Sequence, residues 1–496
     1  MLNVADGLQG CPSTARAAYN AQIRKYQSKR EETELSWLIR LIASPISDAT
    51  VARALAADAT LYLDAGASSV QALGAALATA VAYLRALTGA GLSVEDAARQ
   101  ISFRLGADSD VFMGIAQIRA LRRLWSRVLE ASGTQPQAAE ITVETAARAQ
   151  TGCDPWVNIL RGTAASFASA VGGADGLLVR PFDDAVRTPS EQARRVARNT
   201  QIILAEESHL ARVADPAGGS YLFESLTDQT AQAAWAAFQA IEAKGGMAEV
   251  LKSGALADEI DATAQQRAVD IARRKLPITG VSEFPNIAEA ELAGSSAKPA
   301  RATQSDSAIE ADTVEGWVAA AKSGATLHAL TRAIVTGAPE QVRSFEPKPF
   351  AAEFEALRAQ AKALAPKLFL ANIGPIADHT ARATFAKNFF EAGGIETLTS
   401  KGFDNAADLV TAFKDSGAEM AVLCGSDDGY DAHAADFARA LKEAGCTMLY
   451  LAGRPGAQEE AWRAAGIDEF AFMGANLLTI LTDALARAST QSGASS

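Results

Sequence analysis

The chain has 496 residues, which suits two to four domains, and its 49% hydrophobic and 21% charged residues afford a large core and exclude global disorder. Its formal net charge of −12, with no basic face in the sequence, argues against nucleic-acid binding. The four cysteines (Cys11, Cys153, Cys424, Cys446) share no CxxC spacing, which argues against a disulfide frame or a structural zinc site and fits a reducing, cytoplasmic compartment.

Residues 1–57 form an N-terminal segment without a motif, helical over Tyr19–Ile39. Met1–Gly10 lacks the apolar core of a signal peptide. Arg16–Arg30 is basic and reads as a solvated helix, with a transit peptide as the lesser alternative. From Asp58 a βα alternation begins. Thr60–Leu63 reads as a strand turning at Asp64-Ala65-Gly66. Val70–Leu87 reads as a helix with Val70, Leu73, Leu77, Val81 and Leu84 on one face. The uncharged run Ala65–Leu84 contains Ser68, Ser69, Gln71 and Thr79, and so suits a core helix better than a membrane span. Strands follow at Ile101–Leu105, Ile141–Thr145 and Gly176–Val179, separated by helices Phe112–Leu129 and Pro155–Val171. Strands alternating with helices at this spacing predict a parallel sheet of (β/α) barrel type over residues 58–291.

Helix Glu191–Glu207 runs into the turn cluster Asp215-Pro216 and Gly218-Gly219, after which Ser225 is placed to cap a helix over Leu226–Lys244. Residues 292–365 read as a linker (Leu292–Asp306), a helical connector (Thr313–Val335), a polar stretch and the helix Ala351–Leu364. Residues 366–490 hold five βα units with strands Lys367–Ala371, Ile395–Leu398, Met420–Cys424, Met448–Ala452 and Glu469–Phe472, the pattern of a flavodoxin-like domain. In such a sheet ligands sit at the carboxyl ends of the strands. That puts the loop Asn372–Ala377, and His379 just after it, at the candidate site.

Five stretches carry a resemblance: Tyr62–Leu87, DPWVNILR at Asp154–Arg161, Ala197–Tyr221, GGMAEV at Gly245–Val250 and Asn372–Glu396. Together they make the chain resemble the methylmalonyl-CoA mutase family, nearest to the small subunits of its heterodimeric bacterial members. The resemblance implies a TIM-type barrel for an acyl-CoA and a C-terminal domain for adenosylcobalamin. It also implies the interconversion of methylmalonyl-CoA and succinyl-CoA. In this family the segment matching Asp58 lies about halfway round the barrel. Only 57 residues precede it, too few for four βα units at roughly 30 residues each, so the expectation is an N-terminally shortened barrel.

The family's functional residues carry over unevenly. The cobalt ligand of catalytic chains is the histidine of an Asp-x-His-x-x-Gly loop. His379 matches it, but Ala377 replaces the aspartate and Arg382 the glycine. Loss of the partner that orients a ligating imidazole costs roughly 10–100-fold in metal affinity. His379 is therefore expected to face solvent or cap a helix, with cobalt ligation as the alternative. In the catalytic His-x-Gln-Thr segment Arg148 replaces the histidine, while Gln150 and Thr151 persist as candidate substrate residues. A guanidinium can donate to a carbonyl but cannot act as a proton-tuned acid. No catalytic residue and no metal site are expected. His209 reads as structural, and His328 and His433 as surface residues. The resemblance thus implies a non-catalytic small subunit that stabilises a large subunit, with adenosylcobalamin held by that partner. An active mutase using His379, or a cobalamin- or acyl-CoA-binding regulatory module, is the alternative.

Overall fold

In the computed structural model, residues 53, 55–290, 292, 314–326, 329 and 342–492 are described. The linker Leu292–Asp306 falls outside them except for Leu292, as do His328 and nearly all of the segment 1–54.

Strand β1 (Leu55–Asp58) comes earlier than its sequence signal. Thr60–Asp64, predicted as a strand, is the short helix α1. Asp58 explains the change. Its carboxylate accepts from the Thr60 N–H at 2.8 Å and the Thr60 hydroxyl at 2.6 Å, a local turn that ends the strand and starts the helix. Helix α2 (Ser69–Gly89) opens on a capping box in which Ser68 and Gln71 satisfy each other's backbone N–H groups. It passes a length-and-composition test for a membrane span, but in the fold Leu73, Leu77 and Leu87 are fully buried. Helix α3 (Val94–Arg99), strand β2 (Ile101–Ala107), helix α4 (Val111–Ala131), strand β3 (Ile141–Thr145), helix α5 (Val157–Val171) and strand β4 (Gly176–Leu178) complete the first unit.

These strands form one parallel sheet in chain order, β1-β2-β3-β4. Alternate residues separate its faces. Ile101, Phe103 and Leu105 pack under the helices, where Phe103 meets Trp125 edge-on at 5.2 Å. Asp58, Arg104 and Glu144 take the other face. The described strands make an open four-stranded arc; a closed barrel is not among the described residues.

Helix α6 (Glu191–Ile202) continues as a single π-type turn, Ile203–Glu207. Helix α7 (Tyr221–Ala243) starts five residues before its expected first turn. Ser220 sits at its cap position, and Ser225 lies inside it, bonded to Gln229. Helices α8 (Met247–Lys252), α9 (Ala255–Ala272) and α10 (Val314–Lys322) follow.

Helix α11 (Ala352–Leu364) leads into the second unit: β5 (Lys367–Ile373), α12 (Ile376–Glu391), β6 (Glu396–Leu398), the two-residue β7 (Gly402–Phe403), α13 (Ala406–Ser416), β8 (Met420–Cys424), α14 (Asp427–Glu443), β9 (Met448–Ala452), α15 (Glu459–Ala464), β10 (Glu469–Ala471) and α16 (Leu477–Ser492). Every pairing is parallel, in the order β10-β9-β8-β5-β6, with β7 also on β5. The near-continuous apolar strands Leu368–Ile373 and Met420–Cys424 suit a sheet covered on both faces. One of those two cores includes Ile271, Ile278 and Val281 of the first unit, so the units share apolar packing. Polar ties reinforce it. Glu355 of α11 accepts from the Gly152 N–H at 2.6 Å and the Cys153 N–H at 3.2 Å, and Arg358 donates to Val281 O at 2.9 Å.

Candidate functional site

The second sheet changes direction between β5 and β8, where connections leave to opposite sides. The crevice outside their carboxyl ends is the ligand position of such folds. Here Gly425 follows β8 and Gly453 follows β9, and one side chain reaches both. Arg382 of α12 donates to Gly425 O at 2.8 Å and to the Asp427 carboxylate at 2.5 Å, and its guanidinium lies 4.7 Å from the Tyr430 ring centroid. A Cβ built on Gly453 would come within 4.0 Å of the guanidinium carbon. Tyr430 is anchored in turn: its hydroxyl donates to Ala452 O at 2.9 Å and lies 3.0 Å from Leu423 O. Burial pushes the Tyr430 and Cys424 pKa values well up, so both stay neutral beside the arginine. Ser426 caps α14 through the Gly429 N–H, while Asp427 stands largely in solvent.

His379 neither faces solvent nor caps a helix, contrary to expectation. It sits in the first turn of α12, 6% exposed, with Nδ1 3.2 Å from Gly374 O. The short strand β7 passes over the ring. A Cβ on Gly402 would lie 3.1 Å from His379 Cε1 and 1.7 Å from Gly374 O, so only glycine permits this crossing. Ala377 is exposed, and Asp378 lies in the same first turn.

At the carboxyl end of the first sheet a second arginine is held among the loops. Arg148 follows β3 and is 4% exposed. It donates to Leu63 O at 2.8 Å, to Ala67 O at 2.6 Å and to Asp108 at 2.8 Å, and its own N–H reaches Asp64 at 3.0 Å. Its guanidinium lies 5.1 Å from the Phe350 ring centroid, with Arg267 5.8 Å from the same centroid. Phe350 belongs to a strap, residues 342–350, that crosses these loops. The Lys348 N–H reaches Asp64 O at 2.8 Å, the Phe350 N–H reaches Arg148 O at 2.8 Å, and Phe345 meets Tyr62 edge-on at 5.0 Å. Burial alone would raise the Asp108 carboxyl. The charge and hydrogen bond of Arg148 outweigh it and hold the group below its usual value.

Thr151 is fully buried and committed. Its N–H and hydroxyl reach Asn158, its hydroxyl lies 2.7 Å from Cys153 O, and Arg161 donates to it at 2.8 Å. Gln150 is buried beside it, with Oε1 lacking a hydrogen-bond partner. The face of the sheet opposite Phe103 carries alternating charges. Arg104 pairs with Asp58 and Glu144, and Arg180, just past β4, pairs with Glu144 at 2.5 Å and Asp184 at 2.9 Å. His209 is exposed in a left-handed conformation (φ 55°), and His433 is half-buried against Phe437. Among the described residues no cluster of three or more His, Cys, Asp or Glu side chains could hold a metal. Sequence reasoning missed Tyr430, Arg267 and Phe350. All three act through contacts distant in sequence, and no local motif marks them.

A profile of the methylmalonyl-CoA mutase family matches residues 32–362, ending before β5. A methylmalonyl-CoA mutase small subunit of Streptomyces virginiae is 44% identical over 88% of this chain and 64% of its own length. One from Propionibacterium freudenreichii subsp. shermanii is 36% identical over 87% of this chain and 63% of its own. A methylmalonyl-CoA mutase of Escherichia coli is 38% identical over 45% of this chain and 31% of its own. The chain thus spans just under two thirds of the length of the small subunits it matches.

Proposed function

The chain belongs to the methylmalonyl-CoA mutase family, and from that premise we propose that it serves as a small subunit: a non-catalytic partner that stabilises a large, cofactor-bearing mutase subunit. The observation that carries this reading is Arg382. It occupies the crevice at the β5/β8 switch, where the order β10-β9-β8-β5-β6 supports a flavodoxin-like, cobalamin-type domain. The residues present do not fit adenosylcobalamin. The space its nucleotide tail would need holds a guanidinium paired to Asp427. His379 has one ring nitrogen beside Gly374 O and β7 across it. A neutral imidazole can donate from Nδ1 to that carbonyl and still ligate through Nε2. However, Ala377 supplies no carboxylate to strengthen it, and the ring is shut in rather than presented.

The first unit supports the same reading. A histidine at position 148 could donate to a thioester carbonyl and be tuned by its surroundings. Arg148 instead spends both terminal nitrogens on Leu63 O, Ala67 O and Asp108. The charged ladder Asp58–Arg104–Glu144–Arg180 lines the other face of the sheet with ion pairs, a poor surface for an acyl-CoA arm. The mutase reaction, methylmalonyl-CoA to succinyl-CoA, and its cofactor then reside with the large subunit. The names of the small-subunit relatives support the existence of a larger partner subunit.

Co-expression tests it. The full chain, tagged, is expressed with a large mutase subunit carrying an intact Asp-x-His-x-x-Gly loop. The reading predicts co-purification in equal amounts, with turnover of methylmalonyl-CoA by the pair and none by this chain alone. Turnover by the chain alone, or failure to associate, would defeat it.

A further inference from the structure

A cavity of about 420 Å³ lies where the loops after β1, β2 and β3 meet the end of α9. Its polar wall holds Arg148, Arg267 and Asp108, with the first residues of α2 and α4 beside them. Its other wall is apolar: Leu63, Val70, Met113, Ile271, Leu276 and Ile278. The charges on the polar wall are unevenly matched. Both guanidiniums donate to the same carbonyl, Ala67 O, at 2.6 and 3.4 Å, and both lie over Phe350. Asp108 is paired with Arg148. Asp110 caps α4 through the Met113 N–H. Arg267 has only the carbonyls of Gly66 and Ala67, and no carboxylate within ion-pair distance among the described residues. Nε of Arg148 is buried without a hydrogen-bond partner among the described residues, an arrangement proteins normally avoid.

We propose that this cavity is a binding site for a small carboxylate with a short apolar tail, the carboxylate held by Arg267 and the tail lying against Val70, Ile271 and Ile278. Two like charges sharing one acceptor repel, and a bound oxyanion relieves that repulsion where water does so less well. The Arg267 guanidinium shows the strain: burial and the Arg148 charge push its pKa down to about 10. Planar guanidinium groups accept carboxylate in a forked geometry, and the apolar wall favours a tail over bare phosphate. The site does not depend on the assembly proposed above, since all its walls come from this chain.

Thermal denaturation and calorimetric titration of the full chain test it in low-salt buffer. The probes are sodium hexanoate and sodium phosphate, each compared with sodium chloride at matched ionic strength. Hexanoate is expected to raise Tm saturably by about 2 °C or more, beyond chloride and phosphate. Arg267→Leu should lose the response. Because that variant also removes bonds to Gly66 O and Ala67 O, Ser69→Trp, which fills the cavity and leaves both arginines in place, should lose it too. No saturable effect beyond chloride, a response to phosphate alone, or an undiminished hexanoate response in folded Ser69→Trp would overturn the proposal.

Discussion

Two arginines stand where chemistry would be expected, one at the carboxyl end of each sheet, and they are held in opposite ways. Arg148 is built into the core. Its side chain is 5% exposed, its partner Asp108 18%, and its other acceptors are backbone carbonyls of α1 and of the loop after it. Arg382 is laid into a crevice from outside. Its side chain is 30% exposed, and its partner Asp427 is 87% exposed. The first arginine has become structural, because the loops, the strap and Phe350 are arranged round it. The second only occupies space. On the proposed reading, one site is rebuilt and the other blocked, and the two should respond differently to mutation.

Arg148→Met should have the largest effect. It leaves the half-buried Asp108 without its paired cation, Leu63 O without its side-chain donor and Ala67 O with only the long bond from Arg267. The expected loss is about 3–5 kcal/mol, read from urea denaturation. A loss under about 1 kcal/mol would erase the contrast. Arg148→His, which restores the family's residue type, should also destabilise, because an imidazole cannot reach three acceptors at once.

A smaller effect separates the two pairs by pH. The Asp108 carboxyl is held below its usual value in the folded chain. Its contribution is therefore fully present above the unfolded-state value of about 3.9, and is lost as pH falls through the lower folded-state value. Wild type should lose stability over that acidic window, and Arg148→Met should lose less there because the favourable partner is already gone. Equal acid sensitivity in both would show that the pair does not govern Asp108.

Arg382→Gly should change stability least, within about 1 kcal/mol, since an ion pair to an exposed carboxylate is weak and screened by salt. A loss comparable to that of Arg148→Met would make both arginines structural and remove the distinction.

Much of this was legible in the sequence. The helices Ser69–Gly89 and Val111–Ala131 and five of the six strands of the second unit fall within two residues of their periodic signals, because long apolar faces dominate local preference. Thr60–Leu63 misled because a run of Leu and Tyr suits either element, and the Asp58 turn decides between them. Ser225 misled because a serine before an apolar run resembles a cap even inside a helix. At the site, the resemblance alone set Ala377 and Arg382 against an expected aspartate and glycine. What Arg382 does instead could not be read, since Gly425, Asp427 and Tyr430 lie more than forty residues on. The burial of His379 was equally hidden: it depends on Gly402 letting β7 pass over the ring.

The most direct test of the central claim is titration of the purified full chain with adenosylcobalamin, followed by absorbance. A blocked crevice and an enclosed His379 predict no conversion to a histidine-ligated, base-off spectrum at micromolar cofactor. Appearance of that spectrum, lost in His379→Ala, would show that Arg382 yields its place and that the chain holds the cofactor itself.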